Sequence, residues 1–142
     1  MRFHYLLMSN FSMMKKLLMR RLKDTDLTPG QPKVLAELYE CNGMTQSELA
    51  ARCVLEAATV TSVIDGMERS GLVERKKDSD NRRISRIWLT EKGQQLAERV
   101  NREFLVLEQT VLNSLEGFDA NAAQSVLEQI YNAMSSLYRT SN

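Results

Sequence analysis

The chain has 142 residues, of which 43% are hydrophobic and 26% are charged, and its formal net charge is +1. This composition is typical of one globular domain of ordinary size and excludes a disordered chain. Two cysteines are too few for a disulfide scaffold, and no apolar run approaches the roughly 18 residues that a membrane span needs. No secretory signal pattern is evident, so the sequence predicts a cytoplasmic protein.

The first predicted helix covers residues 3–23, where apolar side chains recur at helical spacing. They occupy more than one face, which indicates a buried helix, and a second subunit is one candidate for covering it. Its C-terminal end is basic, which suits the negative end of the helix dipole, and contains Lys15, Lys16, Arg20, Arg21 and Lys23.

A second helix is predicted to open at Thr28-Pro29-Gly30-Gln31, with Thr28 as its cap and Gln31 completing a capping box. Asn42-Gly43 ends it. Its predicted inner stripe is Val34, Leu35, Leu38 and Tyr39.

A third, short helix follows at Thr45, where Thr45-Gln46-Ser47-Glu48 is another capping box. The turn at 54–56 separates it from a fourth helix, predicted from Ala57 to Ser70 and stopped by Gly71. The residues predicted to face the core from these two helices are Leu49, Ala50, Cys53, Val60, Val63, Ile64 and Met67.

Two strands are predicted next, at 72–76 and 84–89, around the turn-forming cluster at 78–81. Thr90 then caps a long helix that is predicted to reach about Leu115, and Gly117 ends it. Asp119 caps a final apolar helix. The predicted core stripe of the long helix is Leu96, Val100, Phe104, Leu107, Val111 and Leu115.

The order helix, turn, helix, strand, loop, strand predicts a winged helix-turn-helix, so the fold class is mainly α with a small β-wing. We expect a winged lobe at 28–90 and a helical dimerisation region at 1–24 and 91–142, all within a single domain spanning 1–142. A second helix of this kind fits the major groove of double-stranded DNA. Its predicted DNA-facing residues are Ala57, Ala58, Thr59, Thr61, Ser62 and Asp65.

The predicted wing is basic, with six basic side chains against three acidic ones in residues 74–86. Arginine at the tip can enter a narrow minor groove, and the other basic side chains can neutralise phosphates. The predicted wing contacts are Arg75, Lys76, Lys77, Arg82, Arg83 and Arg86.

The ordered motifs of residues 27–93 resemble the MarR family of bacterial transcriptional regulators. The matching pieces are Leu27-Thr28-x-x-Gln31-x-x-Val34-Leu35, Gln46-x-Glu48-Leu49-Ala50, Thr59-Val60-Thr61, Ile64-Asp65-x-Met67-Glu68, Gly71-Leu72-Val73-x-Arg75 and Leu89-Thr90-x-x-Gly93. Each piece is weak alone, whereas the ordered set is specific.

The resemblance implies a homodimer, held by the first and last helices, that binds a pseudo-palindromic operator. It implies a regulator, most often a repressor, released by a small apolar or aromatic effector or by cysteine oxidation; no cofactor is implied. The family wing carries Asp-x-Arg, which matches Asn81-x-Arg83 in one register and Asp80-x-Arg82 one residue earlier, so either arginine can be the inserted one. Members also often carry Gly where Val54 stands, and Arg where Ala57 and Ser62 stand.

Two other classes of function were weighed. A winged helix can serve as a protein-interaction module without sequence-specific DNA binding, and the near-neutral net charge allows it. An enzyme is disfavoured, because the sequence shows one histidine, no metal-ligand cluster and no nucleophile motif. Cys41 is the better candidate for a redox sensor, although a structural role is the commoner one for both cysteines.

Overall fold

The computed structural model describes residues 1–117 and 119–140, and in this part of the chain it contains six helices and three strands. The predicted range 91–142 therefore ends in two residues outside the described part. The helices are α1 (Phe3–Arg21), α2 (Gln31–Glu40), α3 (Gln46–Cys53), α4 (Ala57–Arg69), α5 (Glu91–Leu112) and α6 (Ala120–Thr140). The strands are β1 (Met44–Thr45), β2 (Val73–Lys77) and β3 (Ser85–Leu89).

The predicted order of elements is confirmed, with one addition. The two-residue strand β1 precedes α3 and pairs antiparallel with β3, which in turn pairs with β2, so the sheet order is β1-β3-β2. Met44 lies opposite Ile87, and Val73 lies opposite Leu89. The sheet thereby joins the wing to the start of α3.

The predicted start of α2 is wrong. The helix begins at Gln31, and the three residues before it form a tight turn in which Gln31 N donates to Thr28 O at 3.1 Å. Pro29 and Gly30, whose φ is +96°, suit the two central positions of a type II turn. Thr28 is therefore not the cap, although its N–H donates to Gln31 Oε1 at 3.0 Å. Tyr39 was also misplaced, because it is exposed rather than internal.

The ends of α3 and α4 are as predicted. Thr45 Oγ1 accepts from Glu48 N at 3.2 Å, and Glu48 Oε2 accepts from Thr45 N at 2.7 Å, which completes the capping box. Gly71, at φ +70°, closes α4 with bonds from its own N–H to Glu68 O and from Leu72 N to Met67 O. This paired arrangement satisfies carbonyls that the helix end would leave free.

Residues 1–104 form one compact unit, and its core lies where α2, α3 and α4 pack against the sheet. A cluster of charges holds the end of α1 to α5, because Arg99 donates to both carboxylate oxygens of Asp24 at 3.1 Å and to Arg21 O at 3.2 Å. The hydrogen bond with Arg99 lowers the pKa of Asp24. The fully buried large side chains are Leu22, Leu35, Leu38, Leu49, Ile64, Met67, Ile87, Val34, Val60, Val73, Val100 and Cys53.

Residues from Leu105 onward form a second unit. It contains the last two turns of α5, which ends at Leu112 and not near Leu115, and the helix α6. Asp119 Oδ1 accepts from Ala122 N at 2.6 Å and so caps α6 as predicted. Val111 and Leu115 are exposed rather than internal.

No helix in the described part of the chain is both long enough and apolar enough to span a bilayer.

Candidate nucleic-acid interface

The helix α4 presents one buried face and one exposed face. Val60, Ile64 and Met67 are fully buried, which fixes the rotation of the helix against the core. The first turns of the opposite surface carry small and polar side chains, as predicted. The exposed ones are Ala57, Ala58, Thr59, Thr61 and Ser62. α4 therefore has a free face of the kind that a major groove admits.

The predicted DNA-facing residues of α4 are called its reading face below. Asp65 differs from the rest of this face, because its carboxylate forms an ion pair with Arg75 of the same lobe. Its Oδ1 accepts from Arg75 Nη2 at 2.6 Å, and Arg75 Nη1 also donates to Glu68. Gln46 Oε1 accepts from Arg75 Nε and Nη2, both at 3.2 Å. Partial burial by itself would lower the pKa of Arg75, but the bond with Asp65 and the charge of Glu68 outweigh it and raise this pKa.

Arg75 thus ties β2 to both helices of the helix-turn-helix. All the donors named above point to partners on α3 and α4, and the side chain is only 24% exposed. In the structure, Arg75 holds β2 to α3 and α4 through its hydrogen bonds. A direct phosphate contact by Arg75 stays a prediction.

A second arginine organises the wing in the same way. Asp78 Oδ1 accepts from the backbone N–H groups of Asp80 and Asn81 at 2.9 and 3.1 Å, which folds the tip into a tight turn. Asp78 Oδ2 accepts from Arg86 Nε, and Arg86 Nη1 donates to Gly43 O at 3.0 Å. The hydrogen bond with Arg86 lowers the pKa of Asp78, so this carboxylate stays ionised at neutral pH.

Arg82 and Arg83 lie at the exposed end of this turn. Within the described residues, neither guanidinium group has a hydrogen-bond or ion-pair partner, and Lys77 likewise has none. Lys76 is exposed and pairs with Glu74 at 2.8 Å. Of the six predicted wing contacts, the structure therefore leaves Lys77, Arg82 and Arg83 free, while Arg75, Lys76 and Arg86 have partners.

Two residues that matter for the site were not among the predicted ones. Gln46 bridges Arg75 and Thr61, and Asp78 both folds the wing and holds Arg86. The sequence predicts Gln46 to be part of a capping box and of a family motif, and Asp78 to be a turn former. The spacing of Asp78 from the two following turn residues is the signal that could have identified its role in the wing.

The two cysteines have different surroundings. Cys53 is buried in the helix-turn-helix core, and burial raises the pKa of its thiol, so it is a packing residue. Cys41 is exposed directly after α2. The proposed redox role of Cys41 stays a prediction.

These features define a winged helix-turn-helix protein. Residues 27–85 match the model of the MarR family, described as "MarR: MarR family". The winged lobe of this chain is therefore similar to that of the MarR family of transcriptional regulators.

Individual relatives agree with this assignment. The uncharacterized HTH-type transcriptional regulator YsmB of Bacillus subtilis (strain 168) is 40% identical over 74 residues, which are 52% of this chain and 51% of YsmB. The uncharacterized regulator YybA of the same strain is 27% identical over 82% of this chain and 76% of YybA. The crystal structure of the Staphylococcus aureus MepR-DNA complex has a TM-score of 0.81 at 27% identity, covering 96% of this chain and 99% of MepR. The structural neighbour MepR was thus solved with DNA bound.

Proposed function

We propose that this protein is a homodimeric, sequence-specific DNA-binding repressor, released from its operator by a small effector or by oxidation. The observation that carries the proposal is the combination, within residues 1–104, of a free α4 face and a wing tip whose Arg82 and Arg83 lack partners. The intramolecular bonds of Arg75 and Arg86 hold both parts in place. A helix for the major groove and arginines for the minor groove are the two contacts that a winged lobe makes.

In this proposal the shape of the DNA contributes a large part of the specificity. The predicted reading face carries no Arg, Lys, Asn or Gln, which are the side chains that make bidentate base contacts. Arg82 and Arg83 would favour A·T-rich steps, where the minor groove is narrow and its potential most negative. We therefore expect moderate discrimination between bases under α4 and a preference for A·T tracts under the wing.

The dimer is supported by the exposed apolar surface of α1 and α6. On α1 only Leu18 is buried, and on α6 no residue is. Apolar surface of this extent usually marks an interface between subunits, and a two-fold pair would cover the same patch on both chains. The exposed apolar side chains of these helices are Phe3, Tyr5, Leu6, Met8, Phe11, Met13, Leu17, Val126, Leu127, Tyr131, Met134, Leu137 and Tyr138.

The candidate effector site of this proposal is a cavity in the first unit. A cavity of about 390 Å³ lies between the α1–α2 connection, the end of α4 and the start of α5. Leu27, Leu72 and Leu96 line part of this cavity with apolar side chains. Lys92, which also lines it, donates to Ser70 O at 2.9 Å. The three leucines would contact the small apolar or aromatic effector of this proposal, whereas the other lining residues are polar or charged, namely Asp24, Thr25, Asp26, Ser70 and Lys92. Screening such compounds for release of the bound operator tests this part of the proposal, and unchanged operator affinity after peroxide treatment would remove the role of Cys41.

The decisive experiment is DNA binding as a function of salt. Operator fragments would be selected from random DNA by the full chain, and affinity would be measured by fluorescence anisotropy at several salt concentrations. If the dimer contacts about eight phosphates, log affinity should fall with log salt at a slope of roughly −7. The Arg82→Ala/Arg83→Ala variant should bind more weakly and show a shallower slope.

A matched control removes two exposed positive charges elsewhere. Arg102→Ala/Arg139→Ala takes the same charge from α5 and α6 and should keep the wild-type slope if the wing makes the contacts. Wild-type affinity in the wing variant would contradict the assignment of the wing. Binding that stays weak with every selected fragment would instead favour the protein-interaction module.

A further inference from the structure

The hydroxyl group of Thr61, on the exposed face of α4, already has two hydrogen-bond partners within the protein. Thr61 Oγ1 donates to Ala57 O at 3.0 Å, one helical turn earlier. The same oxygen accepts from Gln46 Nε2 at 3.0 Å. A threonine hydroxyl has one hydrogen to donate, so Thr61 has no donor left for a base edge.

Arg75 fixes the direction of these bonds. The oxygen and nitrogen of a glutamine amide are told apart by their partners, and a guanidinium group can only donate. Arg75 Nε and Nη2 both lie 3.2 Å from the same atom of Gln46, which must therefore be Oε1. The opposite atom, Nε2, then faces Thr61 and donates to it.

The γ-methyl and one acceptor lone pair of the hydroxyl are the parts of this exposed side chain that have no partner within the described residues. Two neighbouring residues of the reading face differ in this respect, because within the described chain the hydroxyls of Thr59 and Ser62 have no partner. Methyl groups on a recognition helix contact the 5-methyl group of thymine in the major groove.

We propose that Thr61 is a specificity-determining residue that recognises a thymine 5-methyl group through its own methyl, while its hydroxyl stays bonded to Ala57 and Gln46. This inference rests on the proposed function, in which α4 enters the major groove. Thr59 and Ser62 then supply hydroxyl contacts, and Thr61 supplies an apolar one.

The test combines two substitutions with a change in the DNA. Thr61→Val keeps the methyl and removes the hydroxyl, whereas Thr61→Ser does the reverse. Each thymine of the selected operator is replaced singly by deoxyuridine, which lacks only the 5-methyl group. Affinities of the full-length variants are measured by anisotropy on every fragment.

We expect Thr61→Val to bind the unmodified operator with wild-type affinity. Thr61→Ser should bind about 16-fold more weakly, because the dimer loses two methyl contacts of about fourfold each. At one thymine of each half-site, a single deoxyuridine should weaken wild type and Thr61→Val by about fourfold. It should have no further effect on Thr61→Ser.

Two results would overturn the inference while leaving the proposed function intact. One is a fivefold or greater loss in Thr61→Val with wild-type affinity in Thr61→Ser, which means that the hydroxyl reads the base. The other is that every deoxyuridine effect persists in Thr61→Ser, which assigns the methyl contact to another residue. If wild type binds no selected fragment, the proposed function fails and the inference fails with it.

A matched control separates base recognition from the general effect of these swaps in a helix. Thr110 on α5 makes the same kind of bond, from Oγ1 to Val106 O at 2.7 Å, and is exposed. Thr110→Val and Thr110→Ser should leave every operator affinity unchanged. A loss in Thr110→Ser equal to that in Thr61→Ser would show that the substitution acts on the helix and not on the base contact, and would overturn the inference.

Discussion

Replacing Gly93 with alanine should destabilise the first unit strongly, because there is no room for a Cβ atom at this position. A Cβ built on Gly93 would lie 1.9 Å from Leu72 O and 2.9 Å from Leu72 C. Both atoms are backbone at the start of β2, so no side chain can rotate away. The N-terminus of α5 would have to move until this contact reached the ordinary range of 3.4 Å or more.

Such a movement would strain the bonds that hold α5 to the end of α4. Thr90 N donates to Leu72 O at 3.0 Å, and Thr90 Oγ1 donates to Gly71 O at 2.6 Å. Overpacking costs about 2 kcal/mol and loss of the two hydrogen bonds about 2 kcal/mol, while the better helix propensity of alanine returns about 1 kcal/mol. We expect the free energy of unfolding to fall by about 3 kcal/mol.

Urea denaturation followed through the single tryptophan, Trp88, would measure this change at a fixed protomer concentration, since dimerisation makes stability concentration-dependent. Gly66→Ala is the matched control. A Cβ at Gly66 meets its nearest atom, Gln31 Nε2, at 3.4 Å, so this variant should equal or exceed wild type in stability. The reasoning would be refuted if the free energy of unfolding of Gly93→Ala lay within about 1 kcal/mol of the wild-type value, which is about the error of such extrapolations.

Three further predictions concern the wing, the turn and the thiols. Asp78→Ala should weaken operator binding by about tenfold, and Asp78→Asn less, because asparagine keeps an oxygen for the two turn amides and loses only the charged bond with Arg86. Since the pKa of Asp78 is lowered from 3.8, its contribution to stability is present above that value and lost only as the pH falls through the lower folded pKa. Operator affinity should therefore show no loss from this group between roughly pH 8 and pH 5. Val54→Gly should raise the free energy of unfolding by about 1 kcal/mol, because Val54 has a φ of +53°, which glycine adopts without strain. A thiol reagent should modify Cys41 in the native protein and Cys53 only after unfolding, as counted by absorbance.

Each of these has a clear contrary result. Equal operator affinities of wild type and Asp78→Ala would mean that DNA binding does not need this carboxylate to hold the wing tip in its folded conformation. A less stable Val54→Gly protein would show that side-chain contacts outweigh backbone strain at the turn. Rapid modification of both thiols in the native protein would contradict the burial of Cys53.

Sequence reasoning succeeded where the deciding interactions are local. The capping box at Thr45, the glycine stop at Gly71 and the cap at Asp119 each depend on residues within five positions of one another. The heptad-like apolar spacing likewise placed Val60 and Ile64 in the core. Local signals of this kind were enough to predict the winged helix-turn-helix.

Apart from the start of α2, where the local turn at Pro29 and Gly30 was read as a helix, it failed mainly where distant residues decide. The strand β1 has two residues and exists because β3, more than forty positions later, supplies its partner. Arg75 and Arg86 look like phosphate contacts in the sequence, and only the fold shows their acidic partners. Whether a basic side chain is free or paired is a property of tertiary structure, so charge counting along the wing could not separate Arg83 from Arg86.

The most direct test of the central claim is a hydroxyl-radical footprint of the full-length protein on its selected operator. A two-fold pair of winged lobes should protect two clusters of sugars on one face of the duplex, about 10 base pairs apart, with flanking minor-groove protection that disappears in Arg82→Ala/Arg83→Ala. One isolated cluster, or flanking protection that survives in the double variant, would contradict the account.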